Sequence, residues 1–199
     1  MIGQCSMLLS TLVKKVFIAG CLMAISSSAF SQALNANWQS DLDKALIAYK
    51  QCSSDSTNSS EKCSNLAGEI LKTVYNLNDF YSSEYKRFMV SNEVANYIEN
   101  NQKWELLGHA YEQNALEKAQ ELANSKRAVV AVYVDDNADG HVSIILPGQL
   151  VLSGSWGFKV PNSTSFFVHE PDKSYVGKGL SYAFTRSMIK NVMIFARSY

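Results

Sequence analysis

The sequence predicts an α+β domain built on an antiparallel sheet. Three observations lead there. Apolar residues recur at helical spacing through most of the chain up to Ser125. Beyond it, β-branched runs such as RAVVAVYVD and HVSIILP alternate with turn signals. Helices that precede strands almost completely, rather than alternating with them, favour an antiparallel sheet with segregated helices over a parallel α/β fold.

The chain opens with a segment outside this plan. MIGQCSMLLSTLVKK is basic, VFIAGCLMAI is a short apolar run and SSSAFSQA is rich in small residues. That order is the grammar of a secretory signal peptide spanning residues 1–33. The apolar run is too short for a permanent anchor, so no transmembrane segment is expected in the mature chain. Ile18-Ala19-Gly20-Cys21 resembles a lipoprotein box, a secondary reading. Residues 34–199 are enough for one domain. Basic and acidic residues number 18 each overall, and the leader removes Lys14 and Lys15. No basic excess then remains to favour nucleic acid. Export to the periplasm or beyond is the expected localisation.

Trp38, Leu42, Ala45, Leu46 and Tyr49 place a first amphipathic helix over Trp38 to Cys52. A polar loop, SSDSTNSSE, follows. KCSNLAGEILKTVY then reads as a second helix, with Ser59 or Ser60 as N-cap and Leu66, Ala67, Ile70, Leu71 and Val74 as its stripe. NDFYSSEYKRF is irregular and aromatic, and Ser91 opens a short helix through Ile98. Trp104, Leu106 and Leu107 form an apolar cluster before Gly108. Tyr111 to Ser125 is a helix striped by Ala115, Leu116, Ala119, Leu122 and Ala123. RAVVAVYVD and HVSIILP form a hairpin over DDNADG. QLVLSGSWGF holds a short third strand, SFFVH a fourth and NVMIFARSY a closing one, with SYVGKGLSYAF irregular between them.

Cys63 lies one turn before Leu66, on the side of the apolar stripe. A helix N-terminus beside a thiol lowers its pKa and favours a nucleophile. Export supports a different reading. Cys5 and Cys21 leave with the leader, so Cys52 and Cys63 remain, and two cysteines in an oxidising compartment pair by default. Both readings stay open on this stretch alone.

Of three histidines, His141 stands directly after a glycine and a tight turn at the start of a strand. That position suits a fixed but reachable general base. His169 precedes Glu-Pro and His109 lies in a connection. Asp135-Asp136-Asn137-Ala138-Asp139-Gly140 matches half of a calcium loop, but Leu146 stands where the loop needs a bidentate Glu, so a hairpin turn is expected. No Cys-x-x-Cys or His-Glu-x-x-His is present, and neither metal nor cofactor is expected.

Cys63-Ser64-Asn65-Leu66 at a helix start, with Gly140-His141-Val142-Ser143-Ile144-Ile145-Leu146 opening a strand, resembles the NlpC-type and CHAP-type cell-wall hydrolases. These are papain-like cysteine peptidases and amidases. The chain has Lys62 and Asn65 where their common form has Asp and Gly. The longer segment between the motifs is similar to that of peptidoglycan amidase effectors. The resemblance implies helices on one face of a central antiparallel sheet, Cys63 as nucleophile and His141 as base. It also implies a polar orienting residue on the next strand. Counting twelve on from His141 places that residue at Ser153, with Ser155 on the same strand face and Gln149 and Asn162 as substitutes. Trp156 and Phe158 would wall a substrate groove. The implied activity is acyl transfer on a peptidoglycan amide, in the stem peptide or at the sugar-peptide linkage. Peptidoglycan is then the partner, with an immunity or inhibitor protein a further one. The alternative is a non-enzymatic periplasmic binding or inhibitor domain stapled by Cys52–Cys63.

Overall fold

The computed structural model describes residues 34–54, 63, 66–135 and 140–199. The expected leader 1–33, the N-caps proposed at Ser59 and Ser60, Lys62, Ser64, Asn65 and the expected turn residues 136–139 lie outside them. The chain forms α1 (Trp38–Ser54), α2 (Leu66–Tyr75), β1 (Tyr81–Ser82), β2 (Arg87–Phe88), α3 (Ser91–Glu99) and β3 (Trp104–His109). It continues through α4 (Gln113–Asn124), β4 (Val129–Val134), β5 (Gly140–Ile145), β6 (Val151–Leu152) and β7 (Lys159–Val160). The last strands are β8 (Asn162–Ser165), β9 (Tyr175–Gly179) and β10 (Met193–Arg197).

Six strands make one antiparallel sheet in the order β3-β10-β4-β5-β8-β9. The expected α+β class is what the chain adopts. Strand β4 alternates its side chains between two cores, which explains why its sequence is apolar throughout. Ala128, Val130 and Val132 pack with α1, α2 and α3, through Leu42, Leu71, Val74 and Val94. Val129 and Ala131 face the other way, into a core with Leu116, Ala119 and Ala123 of α4. The helices are therefore not all on one face, as the resemblance implies. α4 covers the opposite side because its alanine-rich stripe fits flat against β10 and β3.

Other differences have local causes. Trp104 to His109, read from the sequence as an apolar cluster before Gly108 followed by a connection, is a strand; it lies at the sheet edge and leaves Leu106 half exposed. The glycine-rich SYVGKGL segment contains the other edge strand, β9. The expected third strand in QLVLSGSWGF exists as β6, but it pairs only with β7 in a separate hairpin. The place beside β5 belongs to β8, whose residues Asn162–Ser165 begin before the predicted SFFVH.

Gly140 holds the sheet close to α3. A Cβ there would sit 3.1 Å from the Ser91 Cβ and 3.3 Å from the Asn92 nitrogen. Gly68 in α2 serves a similar purpose, because the Phe88 ring occupies the space its side chain would fill. Both glycines bring elements to the rim of one cleft. Among the described residues, no helix is long and apolar enough to cross a membrane.

Candidate functional site

A cleft of about 900 Å³ opens between α2, the start of α3, the N-terminal end of β5 and the segments 166–170 and 181–188. That volume lies within the range of small-molecule sites, roughly 300–1,000 Å³. Ala67 and Ile70 border it from α2, and Gly140, His141 and Val142 from β5. Helix α2 and the His141 motif thus border one depression, although Cys63 itself does not line it among the described residues.

His141 stands opposite Tyr133 in the β4–β5 ladder, so its backbone is fixed by the sheet. Its Nε2 lies 2.5 Å from the Ser165 Oγ, at the end of β8. The imidazole stacks on the Phe167 ring at 4.4 Å between centroids and 9° between planes. Phe184 meets it edge-on at 5.5 Å. The side chain is crowded by neighbours but not sealed, since it still borders the cleft. Burial among these rings penalises the charged imidazolium and pushes its pKa down to about 4. The ring is consequently neutral at physiological pH, and one ring nitrogen carries a lone pair.

Which nitrogen depends on Ser165. If the hydroxyl accepts from Nε2–H, Nδ1 is left as the base; if it donates, Nε2 is engaged and Nδ1 holds the proton. Ser165 is fully buried and pairs across the sheet with Tyr175. Its strand is dense in hydroxyls with assigned partners. Thr164 Oγ1 donates to the Tyr175 carbonyl at 2.8 Å, and Ser143 Oγ donates to the Thr164 carbonyl at 2.9 Å. Ser163 Oγ shares a hydrogen with the Tyr175 hydroxyl at 2.8 Å.

Ser153 is not the partner of His141. Its hydroxyl accepts the Trp156 backbone N–H at 3.2 Å and bonds with Ser155 Oγ at 3.1 Å, closing the turn between β6 and β7. Counting along the chain failed because it assumed that the next strand in sequence is the next in the sheet. The run PNSTS after β7 carried the available signal: hydroxyl residues spaced by two on a strand share one face. Gln149 and Asn162 do not reach the imidazole either; Asn162 binds the Pro147 carbonyl and the Gln120 side chain.

Trp156 and Phe158 do not wall the cleft. Trp156 is 1% exposed, and its indole N–H donates to the Phe184 carbonyl at 3.1 Å. Phe158 packs beside the α4-side core. The aromatic wall comes instead from Phe166, Phe167 and Phe184. Of the other histidines, His169 borders the cleft and is exposed. His109 sits at the end of β3, with Nδ1 3.4 Å from Glu112 and its ring stacked on Tyr111.

Cys63 lies three residues before the described start of α2 and is buried in the core shared with α1. Its sulfur is bonded to Cys52 of α1, with the Cα atoms 6.0 Å apart. In this state it is no nucleophile. The same helix α1 also braces the cleft. Tyr49 donates its hydroxyl hydrogen to the Phe167 carbonyl at 2.6 Å and stacks on Phe166 at 5.4 Å.

No cluster of metal-binding side chains occurs among the described residues. No protein-family model matches the chain. No curated protein matches it either.

Proposed function

We propose that the protein is an exported cysteine hydrolase that cleaves an amide bond of peptidoglycan, with its nucleophile held as a disulfide until reduced. The observation that carries this reading is the His141–Ser165 pair at the rim of a cleft bordered by the first turns of α2. In this scheme a dithiol reduces Cys52–Cys63 and frees both thiols. The Cys63 thiol passes its proton to the free nitrogen of His141, and the sulfur attacks the amide carbonyl carbon to form a C–S bond. The imidazolium returns the proton to the amine as the C–N bond breaks. Water then attacks the thioester with His141 as base, releasing a carboxylic acid and restoring the thiol. Ser165, not Ser153, holds the ring by accepting from Nε2–H, which leaves Nδ1 as the base.

The low folded pKa keeps His141 neutral and able to accept a proton, while burial makes it a weak base because the imidazolium is costly. The test is digestion of purified peptidoglycan by reduced protein, with new termini identified by mass spectrometry. New amine and carboxyl termini that vanish in Cys63→Ala and His141→Ala are expected. Unchanged muropeptides with reduced wild type would end the proposal.

The disulfide itself favours a second reading, a non-enzymatic binding or inhibitor domain in which Cys52–Cys63 staples α1 to the segment before α2. Ligand binding by the oxidised protein that is unchanged in Cys63→Ala would support it.

A further inference from the structure

The segment 181–188, which forms one side of the cleft, is pinned to the β6–β7 turn at two points. The Trp156 indole N–H donates to the Phe184 carbonyl, and Arg186 Nη1 donates to the Ser155 carbonyl, both at 3.1 Å. Within the segment, Met188 N–H bonds the Thr185 carbonyl at 3.0 Å, and Thr185 and Ser187 share a hydroxyl hydrogen at 2.8 Å. The turn therefore presents Arg186 from a braced backbone, with one guanidinium hydrogen anchored.

A guanidinium carries five N–H donors in a planar fork, and a carboxylate fills two of them side by side. Among the described residues, no carboxylate forms an ion pair with Arg186. The other fixed charges that border the cleft are Lys173 and Glu170, and these pair with each other at 2.5 Å. One positive charge is thus left over, beside the apolar surface of Phe167, Phe184 and Met188.

We infer that Arg186 binds a carboxylate of the cleft's ligand, so that the ligand class is amides or peptides with a free carboxylate next to an uncharged segment. This rests on the cleft being the ligand site and is independent of any chemistry at Cys63.

The probes are diacetyl-Lys-D-Ala-D-Ala and its C-terminal carboxamide, titrated calorimetrically into the protein with its disulfide intact. Wild type should bind the carboxylate at least about tenfold more tightly, the discrimination expected of one charge-assisted fork. Arg186→Gln should bring the two probes to within about twofold, while Arg186→Lys, a point charge without the fork, should fall between. Arg186 is exposed, so an unchanged melting temperature is the control for folding. Equal binding of both probes by wild type, binding of neither, or discrimination that survives Arg186→Gln would each overturn the assignment. Discrimination without peptidoglycan cleavage would remove the proposed reaction alone. Cleavage with equal probe binding would remove the role of Arg186 alone.

Discussion

Replacing Cys52 and Cys63 one at a time separates the structural contribution of their bond from any chemistry of the sulfur. The two half-cystines are 11 residues apart in sequence. Closing a loop of that length restricts the unfolded chain by about 3 kcal/mol in the loop-entropy account. For a domain of this size, each kcal/mol moves the melting temperature by roughly 2–4 °C. Cys52→Ala and Cys63→Ala should therefore both melt roughly 6–12 °C below oxidised wild type, as should wild type in excess reductant. Cys63→Ala should melt slightly lower again, because its side chain is buried in the core while Cys52 is only half-buried. Activity should divide the pair. Cys52→Ala frees the Cys63 thiol without reductant, so it should cleave peptidoglycan under oxidising conditions where wild type does not. Cys63→Ala should be inactive under all conditions. Differential scanning calorimetry and muropeptide release are the two measurements. If Cys52→Ala is no more active than Cys63→Ala, the nucleophile is misassigned; if neither variant melts below wild type, the bond does not restrict the chain as argued.

Further outcomes follow from the site and its supports. Ser165→Ala removes one neutral hydrogen bond from His141, worth roughly 0.5–1.5 kcal/mol, and should slow cleavage about tenfold, whereas Ser153→Ala should leave kcat/KM within about twofold. Equal losses in the two variants would return the orienting role to the β6–β7 turn. His141 titrates at about 4 when folded against about 6.5 unfolded, so between these values the unfolded chain binds more protons. Stability should thus be full above pH 6.5, fall by up to roughly 3 kcal/mol as pH drops to 4, and level off below. Comparing denaturant midpoints of wild type and His141→Gln across that window checks it, because the variant should lack this component. Gly140→Ala places a methyl against Ser91 and the Tyr133 carbonyl, which lies 3.2 Å from the new Cβ, and should cost about 1–3 kcal/mol in denaturant unfolding. An unchanged midpoint would show that α3 can retreat without loss.

Long periodic segments were the legible part of the fold. The stripes of α1 and α4 and the apolar runs of β4, β5 and β10 are specified by burial, which leaves a regular mark in sequence. The edge strands leave no such mark. β3 is paired on one side only and exposes Leu106, and β9 is interrupted by Gly177 at φ 73°. Each is held in place by its neighbour rather than by its own pattern. The convergence of α2 and His141 on one cleft follows from two motifs that could be read, while Ser165 depended on sheet order. A detour of hairpin β6–β7 between β5 and β8 is invisible to counting residues. The roles proposed for Trp156 and Phe158 failed for another reason. Large aromatics beside a site have the same composition whether they line it or lie behind it, and the buried Trp156 supports the 181–188 segment from behind.

The strand order has a consequence for the sequence of events in folding. β10 is inserted between β3 and β4, and β3 has no other partner in the sheet. Residues 104–109 must therefore wait for residues 193–197 before their backbone groups can pair. The β4–β5 hairpin can form early from neighbours in the chain, but one edge of it stays open until that distant strand arrives. Pairings of such long sequence separation slow the search for the native arrangement. During that interval the apolar run of β4 offers an unpaired edge to any other extended chain. A holding factor that keeps nascent copies apart would raise the yield of native protein far more than it would raise the stability of the finished fold.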